Sequence, residues 1–120
     1  MTGVLVCEDA ADMRALLREA LDADPKLRVV GEAGDGDGAV RLAGALQPDV
    51  VLLDIGMPGP AVAEVVAGVR RAAPDAAIVV LSGYGPERLD AAVVGELAAH
   101  LPKTTDLDAV RRTLRAAGNG

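Results

Sequence analysis

The 120-residue sequence predicts an α/β domain in which a doubly wound, five-stranded parallel sheet carries helices on both faces. Three observations predict this fold. Short apolar runs alternate with segments whose apolar residues recur at helical spacing, this unit occurs five times, and the connections are short. Apolar residues make up 51% of the chain, and the core they form must be aliphatic because Phe and Trp are absent.

The first unit begins with a strand predicted over residues 4–7, directly followed by Glu8 and Asp9. A helix comes next, with Asp9 or Asp12 as its expected N-cap, and Pro25 marks its end. One face of this helix is predicted to be buried because its apolar residues are three or four apart, namely Met13, Leu16, Leu17, Ala20 and Leu21.

The second unit contains a short strand over residues 27–30 and a segment, residues 34–38, in which acids alternate with glycines. Such alternation also occurs in calcium-binding loops, but the terminal bidentate Glu of an EF-hand is missing here. We therefore expect Asp35 or Asp37 to be the N-cap of the second helix. That helix ends near Pro48, and its apolar residues are Val40, Ala43 and Leu46.

The third unit has the most informative strand. Residues 50–53 are four apolar residues in a row, which indicates a strand buried on both faces, and Asp54 follows directly. Burial of a charged carboxylate at that position costs free energy, so we expect Asp54 to have a functional role. Glycines and a proline in residues 56–59 predict a loop. A helix is expected to start at Pro60, with a buried face formed by Val62, Val65, Val66 and Val69.

The fourth unit begins with a strand predicted over residues 77–81, which places Ser82 at its end. The loop after it contains two glycines and the only tyrosine of the chain, Tyr84. A weaker helix is predicted beyond this loop, and its apolar residues are Leu89, Ala92 and Val93.

The fifth unit has the least distinct strand, residues 97–101, followed by Lys103. Thr105 is the expected N-cap of the last helix, whose apolar residues are Leu107, Val110 and Leu114. We therefore place the domain in residues 1–117 and interpret residues 118–120 as a tail or the start of a linker.

The composition excludes several classes of protein. A formal net charge of −6 argues against a nucleic-acid-binding surface, because phosphate contacts need clustered Lys and Arg. The single cysteine, Cys7, cannot form an internal disulfide and is expected to be a buried, reduced thiol. No apolar run is long enough for a membrane span, and the first residues lack the pattern of a signal peptide. Together these features predict a cytoplasmic protein.

Ligands of doubly wound sheets bind at the carboxyl ends of the strands, so the residues after each predicted strand form the candidate site. They are three acids, a hydroxyl and an ammonium: Glu8, Asp9, Asp54, Ser82 and Lys103. Three adjacent carboxylates repel one another unless a cation lies among them, and oxygen ligands with open positions suit Mg²⁺. Taken singly, Asp9 could be only a helix cap, Ser82 only a turn residue and Lys103 only a solvated charge.

With these residues in this order, the whole chain resembles a bacterial two-component response-regulator receiver domain. This family belongs to the CheY-like superfamily, with a flavodoxin-like strand order of 2-1-3-4-5. The resemblance rests on the Glu8-Asp9 pair, on Asp54 with Met57-Pro58-Gly59 beyond it, and on Ser82 and Lys103. Residues 29–36 are also similar to the NarL-type branch, whose members usually carry a DNA-binding helix-turn-helix domain downstream.

The resemblance implies a role for each of these residues. Asp54 would take a phosphoryl group from a phosphohistidine on a sensor histidine kinase. The other implied roles are direct Mg²⁺ binding by Asp9 and Asp54, Mg²⁺ binding through water by Glu8 and through the backbone carbonyl by Gly56, and binding of the phosphoryl oxygens by Lys103 and the Ser82 hydroxyl.

The resemblance also implies how the signal leaves the domain. Phosphorylation would shift an equilibrium between two states of the distal surface and so control a downstream output, expected to be transcription. The domain would promote its own phosphorylation and dephosphorylation without being a turnover enzyme. We expect a fused or separate effector domain, which would bind DNA if the protein is NarL-type, and a homodimer could form through the last helix.

Two positions bear on switching and on loss of the phosphoryl group. Family members usually have Tyr or Phe three residues before the lysine, as the ring that moves inward behind the hydroxyl; here the residue is His100, which either turns inward or stays exposed. Tyr84 and Gly56 stand two residues after Ser82 and Asp54, where the family places the path of the hydrolytic water. We expect Tyr84 either to cover the phosphoryl group partly and slow its loss, or to be an interface residue.

Two other functions stay open on the sequence. One is an interaction module of the same fold whose output does not depend on phosphate. The other is a phosphatase of the haloacid-dehalogenase type, which also uses an aspartate nucleophile after a strand. That class needs a second Asp two residues further on, where this chain has Gly56.

Overall fold

The structure, a computed structural model, describes residues 1–119 of the chain. Its elements, in chain order, are β1 (Thr2–Cys7), α1 (Ala11–Asp22), β2 (Leu27–Ala33), α2 (Gly36–Leu46), β3 (Val50–Asp54), α3 (Val62–Ala72), β4 (Ala77–Ser82), α4 (Ala91–Gly95), β5 (Ala99–Pro102) and α5 (Leu107–Asn119). The strands form one parallel sheet in the order β2-β1-β3-β4-β5, which confirms the predicted fold class and strand order. Within residues 1–119, no helix is both long and apolar enough to cross a membrane.

Helices cover both faces of the sheet, and the side chains of each strand alternate between two cores. The first core lies beneath α1 and α5, and the second lies beneath α2, α3 and α4. In β3, Val50 and Leu52 point into the first core, whereas Val51 and Leu53 point into the second. None of the four is more than 1% exposed, so β3 is buried on both faces, as its sequence predicts.

The parallel register brings the ends of four strands to one edge of the sheet. Cys7 pairs with Leu53 in β1 and β3, Asp54 pairs with Leu81 in β3 and β4, and Ser82 is the last residue of β4 to pair with β5. The residues that follow β1, β3, β4 and β5 therefore lie close to one another. We call this edge, formed by residues 8–9, 54–56, 82–84 and 103, the C-terminal edge.

The N-terminus of α1 differs from the prediction. Its N-cap is Ala10, which has no side-chain capping bond, so the prediction of Asp9 or Asp12 as the cap is wrong. Instead, the Glu8 carboxylate accepts a hydrogen bond of 3.1 Å from the Ala10 backbone N–H. This arrangement leaves Asp9 free to face the C-terminal edge.

The caps of α2 and α5 are both aspartates. Asp35 accepts a hydrogen bond of 2.7 Å from the backbone N–H of Gly38, as one of the two predicted alternatives requires. At α5, the N-cap is Asp106, whose carboxylate accepts a hydrogen bond of 2.8 Å from the Ala109 N–H. The prediction of Thr105 was wrong because the helix starts one residue later than that cap requires.

The buried faces of α1 and α2 are narrower than their apolar spacing predicts. Met13 is 38%, Leu16 46% and Leu46 40% exposed, so these three do not belong to the core. A single helix face buries only a stripe, and Leu16 lies near a quarter-turn from the middle of the stripe on α1. The predicted residues that are buried on these helices are Leu17, Ala20, Leu21 and Ala43.

Several element boundaries also differ: β1 starts at Thr2 rather than at residue 4, and α4 starts at Ala91, so Leu89 lies outside it. β2 continues past Gly31 because this glycine leaves room for α2: a side chain there would come within 2.6 Å of Leu46. The first helical residue of α3 is Val62, two residues beyond the predicted start at Pro60. β5 begins at residue 99 rather than 97, because residues 96–97 complete turns that close α4.

The last helix continues through residue 119, so residues 118 and 119 are helical, and Gly120 lies outside the described residues. The domain boundary at residue 117 stays a prediction. Cys7 is free and fully buried in the second core, and burial raises the pKa of its thiol to about 12. The thiol is therefore protonated at neutral pH, in agreement with the expected inert cysteine.

Candidate functional site

Three carboxylates meet at the C-terminal edge. Glu8, Asp9 and Asp54 each offer one oxygen, and these oxygens all lie within 4.8 Å of one another. Glu8 is 4% and Asp54 3% exposed, whereas Asp9 is exposed to solvent. The structure therefore brings together the three acids that the sequence placed after β1 and at the end of β3.

The cluster holds more negative charge than its surroundings stabilise. The pKa of Glu8 is raised to about 7, mainly because burial disfavours its charged form, and the neighbouring Asp54 raises it further. The N–H of Ala10 acts in the opposite direction by stabilising the carboxylate. A group of acids whose charge is this poorly compensated suits a small divalent cation with oxygen ligands.

Lys103 supplies the only positive charge within reach of Asp54 among the described residues. Its Nζ lies 2.6 Å from Asp54 Oδ1, and its side chain is 42% exposed. Oδ1 accepts no well-aligned hydrogen bond, so this contact is an ion pair rather than a directed hydrogen bond. Contact with the Asp54 carboxylate also raises the pKa of Lys103, which keeps the ammonium charged.

The loop after β5 is fixed to the end of β4. The backbone N–H of Lys103 donates a hydrogen bond of 2.9 Å to the carbonyl oxygen of Ser82. Ser82 itself is 1% exposed, and its hydroxyl oxygen accepts a hydrogen bond of 3.0 Å from the Tyr84 backbone N–H. In this state the hydroxyl is thus engaged with its own loop.

Gly56 lines a small cavity beside Asp54, and Tyr84 lies in the loop that follows β4. Gly56 has a φ of +116°, which disfavours any residue with a side chain, and no atom lies within 4 Å of the position its Cβ would occupy. The ring of Tyr84 is half-buried against the second core, and the Arg88 guanidinium lies 5.9 Å from the ring centroid. That distance permits a cation–π contact that holds the ring in the loop.

The sequence that forms this edge matches that of a known protein family. The sequence pattern of the "Response regulator receiver domain" family matches residues 4–115. This chain belongs to the response regulator receiver domain family. The match includes every residue of the C-terminal edge described above.

Similarity to individual response regulators, over nearly all of this chain, supports this assignment. The receiver domain is 33% identical to the transcriptional regulatory protein LiaR of Bacillus subtilis over 100% of this chain and 57% of LiaR. It is 32% identical to the nitrate/nitrite response regulator protein NarP of Escherichia coli over 98% of this chain and 55% of NarP. The chain thus spans about half the length of these curated relatives.

A solved structure shows the same fold. The signal receiver domain of the response regulator NarL from Mycobacterium tuberculosis superposes with a TM-score of 0.85 at 30% identity, covering 99% of this chain and 97% of that one. The relatives LiaR and NarP and this neighbour confirm the predicted resemblance to the NarL-type branch.

The similarity to enzymes is restricted to their receiver portion. Over 55 residues the chain is 54% identical to protein-glutamate methylesterase/protein-glutamine glutaminase 1 of Caulobacter vibrioides, which covers 46% of this chain but only 16% of that protein. The similarity thus concerns the receiver portion and carries no esterase or glutaminase activity over to this chain.

His100 is not the plain exposed residue that one prediction allowed. Its neighbours in β5, Ala99 and Leu101, pack against the first core, so alternation points His100 to the opposite face of the sheet. The residue is half-buried, and its Nε2 is enclosed without a hydrogen-bond partner in the described part of the chain. The imidazole thus lies on the face of the sheet opposite the first core, in β5, which pairs with β4.

Sequence analysis did not identify Arg14 as part of the site. Its Nη1 donates a hydrogen bond of 2.8 Å to the backbone carbonyl of Glu8. Because the acceptor is a main-chain atom, no residue type in the sequence signals this contact. The sequence offers only one weak signal for this contact: Arg14 is six residues after Glu8, in the first turn of α1.

Proposed function

We propose that Asp54 of this receiver domain accepts a phosphoryl group from a phosphohistidine of a sensor histidine kinase. The observation that carries the proposal is the state of Asp54: a buried carboxylate whose Oδ1 lacks an aligned donor, 2.6 Å from Lys103 and next to two further acids. A carboxylate oxygen attacks phosphorus, the P–N bond to the imidazole breaks, and the imidazole keeps the bonding electron pair and takes up a proton. The product is an acyl phosphate.

The charged residues at this edge have complementary parts in the transfer. Phosphorylation adds about −1.5 to −2 charges, by analogy with phosphorylated hydroxyl groups. Lys103 already lies against Asp54, and its exposed side chain can follow the charge from the carboxylate to a phosphoryl oxygen. Positioning and charge compensation of this kind are the main contributions of a protein to phosphoryl transfer.

The acids fit Mg²⁺, which when bound would supply positive charge to the phosphoryl oxygens. Asp9 and Asp54 would hold the ion directly, Glu8 would hold it through water, and the backbone carbonyl of Gly56 would be a further ligand. The clustered oxygens support this set of ligands, and so does the lack of a well-aligned hydrogen bond to Asp54 Oδ1. The raised pKa of Glu8, caused mainly by burial and further by Asp54, supports it as well, since a bound cation would stabilise the charged carboxylate.

The output is proposed to start with the Ser82 hydroxyl. It accepts a hydrogen bond from the Tyr84 N–H in the present state, and donating to a phosphoryl oxygen would pull it away from this loop. Movement of the loop would alter the packing near His100 and α4 and so shift the population of two surface states. The half-buried position of His100 supports a part for its imidazole in this switch.

The family and the greater length of LiaR and NarP support the proposed partners. LiaR is a transcriptional regulatory protein, and the present chain corresponds to 57% of it. We propose that a cytoplasmic sensor kinase domain supplies the phosphoryl group and that a fused or separate DNA-binding effector carries the output. A homodimer could form through α5. The net charge of −6 supports a protein partner rather than DNA as the contact of this domain.

The experiment is phosphorylation by a small donor. The chain is incubated with acetyl phosphate and Mg²⁺, and the intact mass is measured. A gain of one phosphoryl group that is absent in Asp54→Asn and without Mg²⁺ is expected. A folded protein that gains no mass would overturn the proposal and favour an interaction module of the same fold.

A further inference from the structure

Arg14 joins three parts of the chain at the C-terminal edge. Its Nη1 donates a hydrogen bond of 2.8 Å to the Glu8 carbonyl oxygen, and its Nε lies 3.4 Å from the Glu32 carboxylate on β2. The Arg14 side chain is 27% exposed, so both contacts are partly shielded from water. Arg14 therefore connects α1 and β2 with the loop between β1 and α1.

The carbonyl group that accepts this bond lies between two metal-ligand candidates. It belongs to the planar peptide unit that joins Glu8 to Asp9, so holding its oxygen fixes the direction in which the chain enters Asp9. Glu8 is already fixed by burial and by the hydrogen bond of 2.9 Å from its N–H to the Ala33 carbonyl. Asp9 is exposed, and packing alone does not set the position of its carboxylate.

We infer that Arg14 is a positioning residue for the divalent-cation site: by holding the peptide between Glu8 and Asp9, it places the Asp9 carboxylate in the acid cluster. The inference rests on the proposed function, because it concerns the cation that the acids would bind. Arg14 itself touches neither the cation ligands' oxygens nor the phosphoryl acceptor. Its contact is with the backbone that carries them.

The charge of Arg14 has the opposite effect on cation binding. A guanidinium close to the acid cluster repels a divalent cation, so removal of the charge alone would tighten binding. Loss of the hydrogen bond to the Glu8 carbonyl would instead weaken binding, because Asp9 would be less well placed. The sign of the change in affinity therefore separates positioning from simple electrostatics.

The chain offers a matched control in Arg18, one turn further along α1. Its guanidinium also pairs with Glu32, and it lies 3.6 Å from Asp22, but its recorded partners do not include the Glu8 carbonyl. Arg18→Ala therefore removes the same charge from the same helix and the same partner on β2. The contact with the Glu8–Asp9 peptide is recorded for Arg14 alone, whereas Arg18 is more exposed and also pairs with Asp22.

The test is direct binding of Mn²⁺, measured from the EPR signal of the free ion and reversed by competition with Mg²⁺. We expect Arg14→Ala to raise the dissociation constant about tenfold, as is typical for partners that orient metal ligands. Arg18→Ala is expected to leave it unchanged or slightly lower. Arg14→Lys, which keeps the charge and one donor, is expected to recover part of the affinity. Thermal unfolding without metal checks that each variant is folded.

The outcomes separate this inference from the proposed function. If the wild type binds Mn²⁺ and Arg14→Ala binds it as tightly as Arg18→Ala does, the positioning role is overturned while the metal site stands. The metal site itself is wrong if the wild type binds no Mn²⁺, or if Asp9→Asn binds Mn²⁺ as tightly as the wild type does. In either case the inference is overturned with it.

Discussion

The two halves of the C-terminal edge are built differently. On the β1–β3 side, all residues of β3 are buried, and so is Glu8. On the β4–β5 side, most of β4 is buried as well, but α4 has only 5 residues, of which Val93 alone is buried, and β5 contains no buried residue. The acceptor thus sits in a tightly packed frame, whereas the segment that would report its state has few apolar contacts and can open locally at low cost.

This difference corresponds to two tasks with opposite requirements. Phosphoryl transfer needs charged groups held in place before the donor arrives, and the packed side provides that. A switch needs two conformations of similar free energy, which a lightly packed segment provides more easily than a rigid one. Changes to the charged groups around Asp54, including Lys103, are therefore expected to alter chemistry, and changes to α4 and to the loop after β4 are expected to alter transmission and lifetime.

The largest effect is expected from Lys103→Met. This change removes the ammonium that lies 2.6 Å from Asp54 Oδ1. We expect the rate of phosphorylation by acetyl phosphate to fall by about 10²–10³-fold, the usual cost of losing one donor that stabilises developing charge. The measurement is the time course of the intact mass at saturating Mg²⁺.

Lys26→Met is the matched control for this prediction because the chain contains only these two lysines. Lys26 lies between α1 and β2, away from the C-terminal edge, so its loss is expected to leave the rate unchanged. Equal rates for Lys103→Met and the wild type would contradict the role of Lys103. They would also show that phosphorylation of Asp54 does not depend on charge compensation by this ammonium.

The second prediction concerns the pH dependence of stability on the packed side. Glu8 has a pKa of about 7 in the folded protein against 4.5 for the ordinary carboxyl group, so between these values the folded state binds more protons than the unfolded state. The metal-free protein therefore loses stability as the pH rises from about 4.5 to 7. Allowing for solvent screening, we expect a loss of about 1–2 kcal/mol in the free energy of unfolding.

Urea unfolding at pH 5 and pH 7.5, without metal, measures this loss. Glu8→Gln carries no titrating group, so its stability is expected to change less over the same range. Mg²⁺ at pH 7.5 is expected to restore stability to the wild type, because it binds the folded state alone. If the wild type is as stable at pH 7.5 as at pH 5, the acid cluster is better compensated than its geometry indicates.

Sequence patterns predict the packed side well because local and global preferences agree there. Four consecutive aliphatic residues indicate β3, and the strand order 2-1-3-4-5 brings Asp54 close to the residues after β1 and β4. The acid cluster therefore follows from topology. The extent to which the charge of the cluster is compensated does not follow from topology, because the pKa of Glu8 depends on burial and on distances that a sequence does not contain.

The prediction of a helix N-cap fails where two neighbouring residues are both suitable caps. The final helix has Thr105 and Asp106 side by side, both good N-caps, and only the chain path after β5 selects Asp106. Leu16 has the spacing of a core residue but is exposed, since periodicity locates a stripe without showing how wide the contact with the sheet is, whereas Met13 is exposed in the first turn of α1. The contact between Arg14 and the Glu8 carbonyl is invisible for another reason: its acceptor is backbone.

The third prediction tests whether the two sides are independent. Arg70 on α3 fixes α4, with its Nε 3.0 Å from Glu96 and its Nη1 2.7 Å and 2.8 Å from the carbonyls of Ala76 and Pro74. We expect Arg70→Ala to lower the free energy of unfolding by about 1 kcal/mol and to speed amide hydrogen exchange in residues 91–97. The rate of phosphorylation of Asp54 is expected to stay the same.

Arg71→Ala, at the exposed neighbouring position, is the control and is expected to change neither exchange nor stability. If Arg70→Ala slows phosphorylation along with the faster exchange, the packing of α4 contributes to the chemistry. The division of the edge into an acceptor side and a reporter side would then be wrong.

The smallest effect is expected from Tyr84→Ala, on the lightly packed side. The Tyr84 ring packs against the second core and beneath Arg88, two residues beyond the Ser82 hydroxyl. If it partly covers the phosphoryl group, its removal admits water and shortens the lifetime of phosphorylated Asp54. We expect a change of about threefold, because a partly open site already admits water and threefold corresponds to less than 1 kcal/mol in the barrier.

The lifetime is measured by removing the donor and following the loss of the phosphoryl group by mass. Tyr84→Phe keeps the ring and is expected to keep the lifetime. If Tyr84→Phe shortens it as much as Tyr84→Ala does, the hydroxyl rather than the ring is responsible, and shielding is the wrong cause. If neither variant alters it, Tyr84 belongs to an interface, and the reporter side acts on partners without influencing how long Asp54 stays phosphorylated.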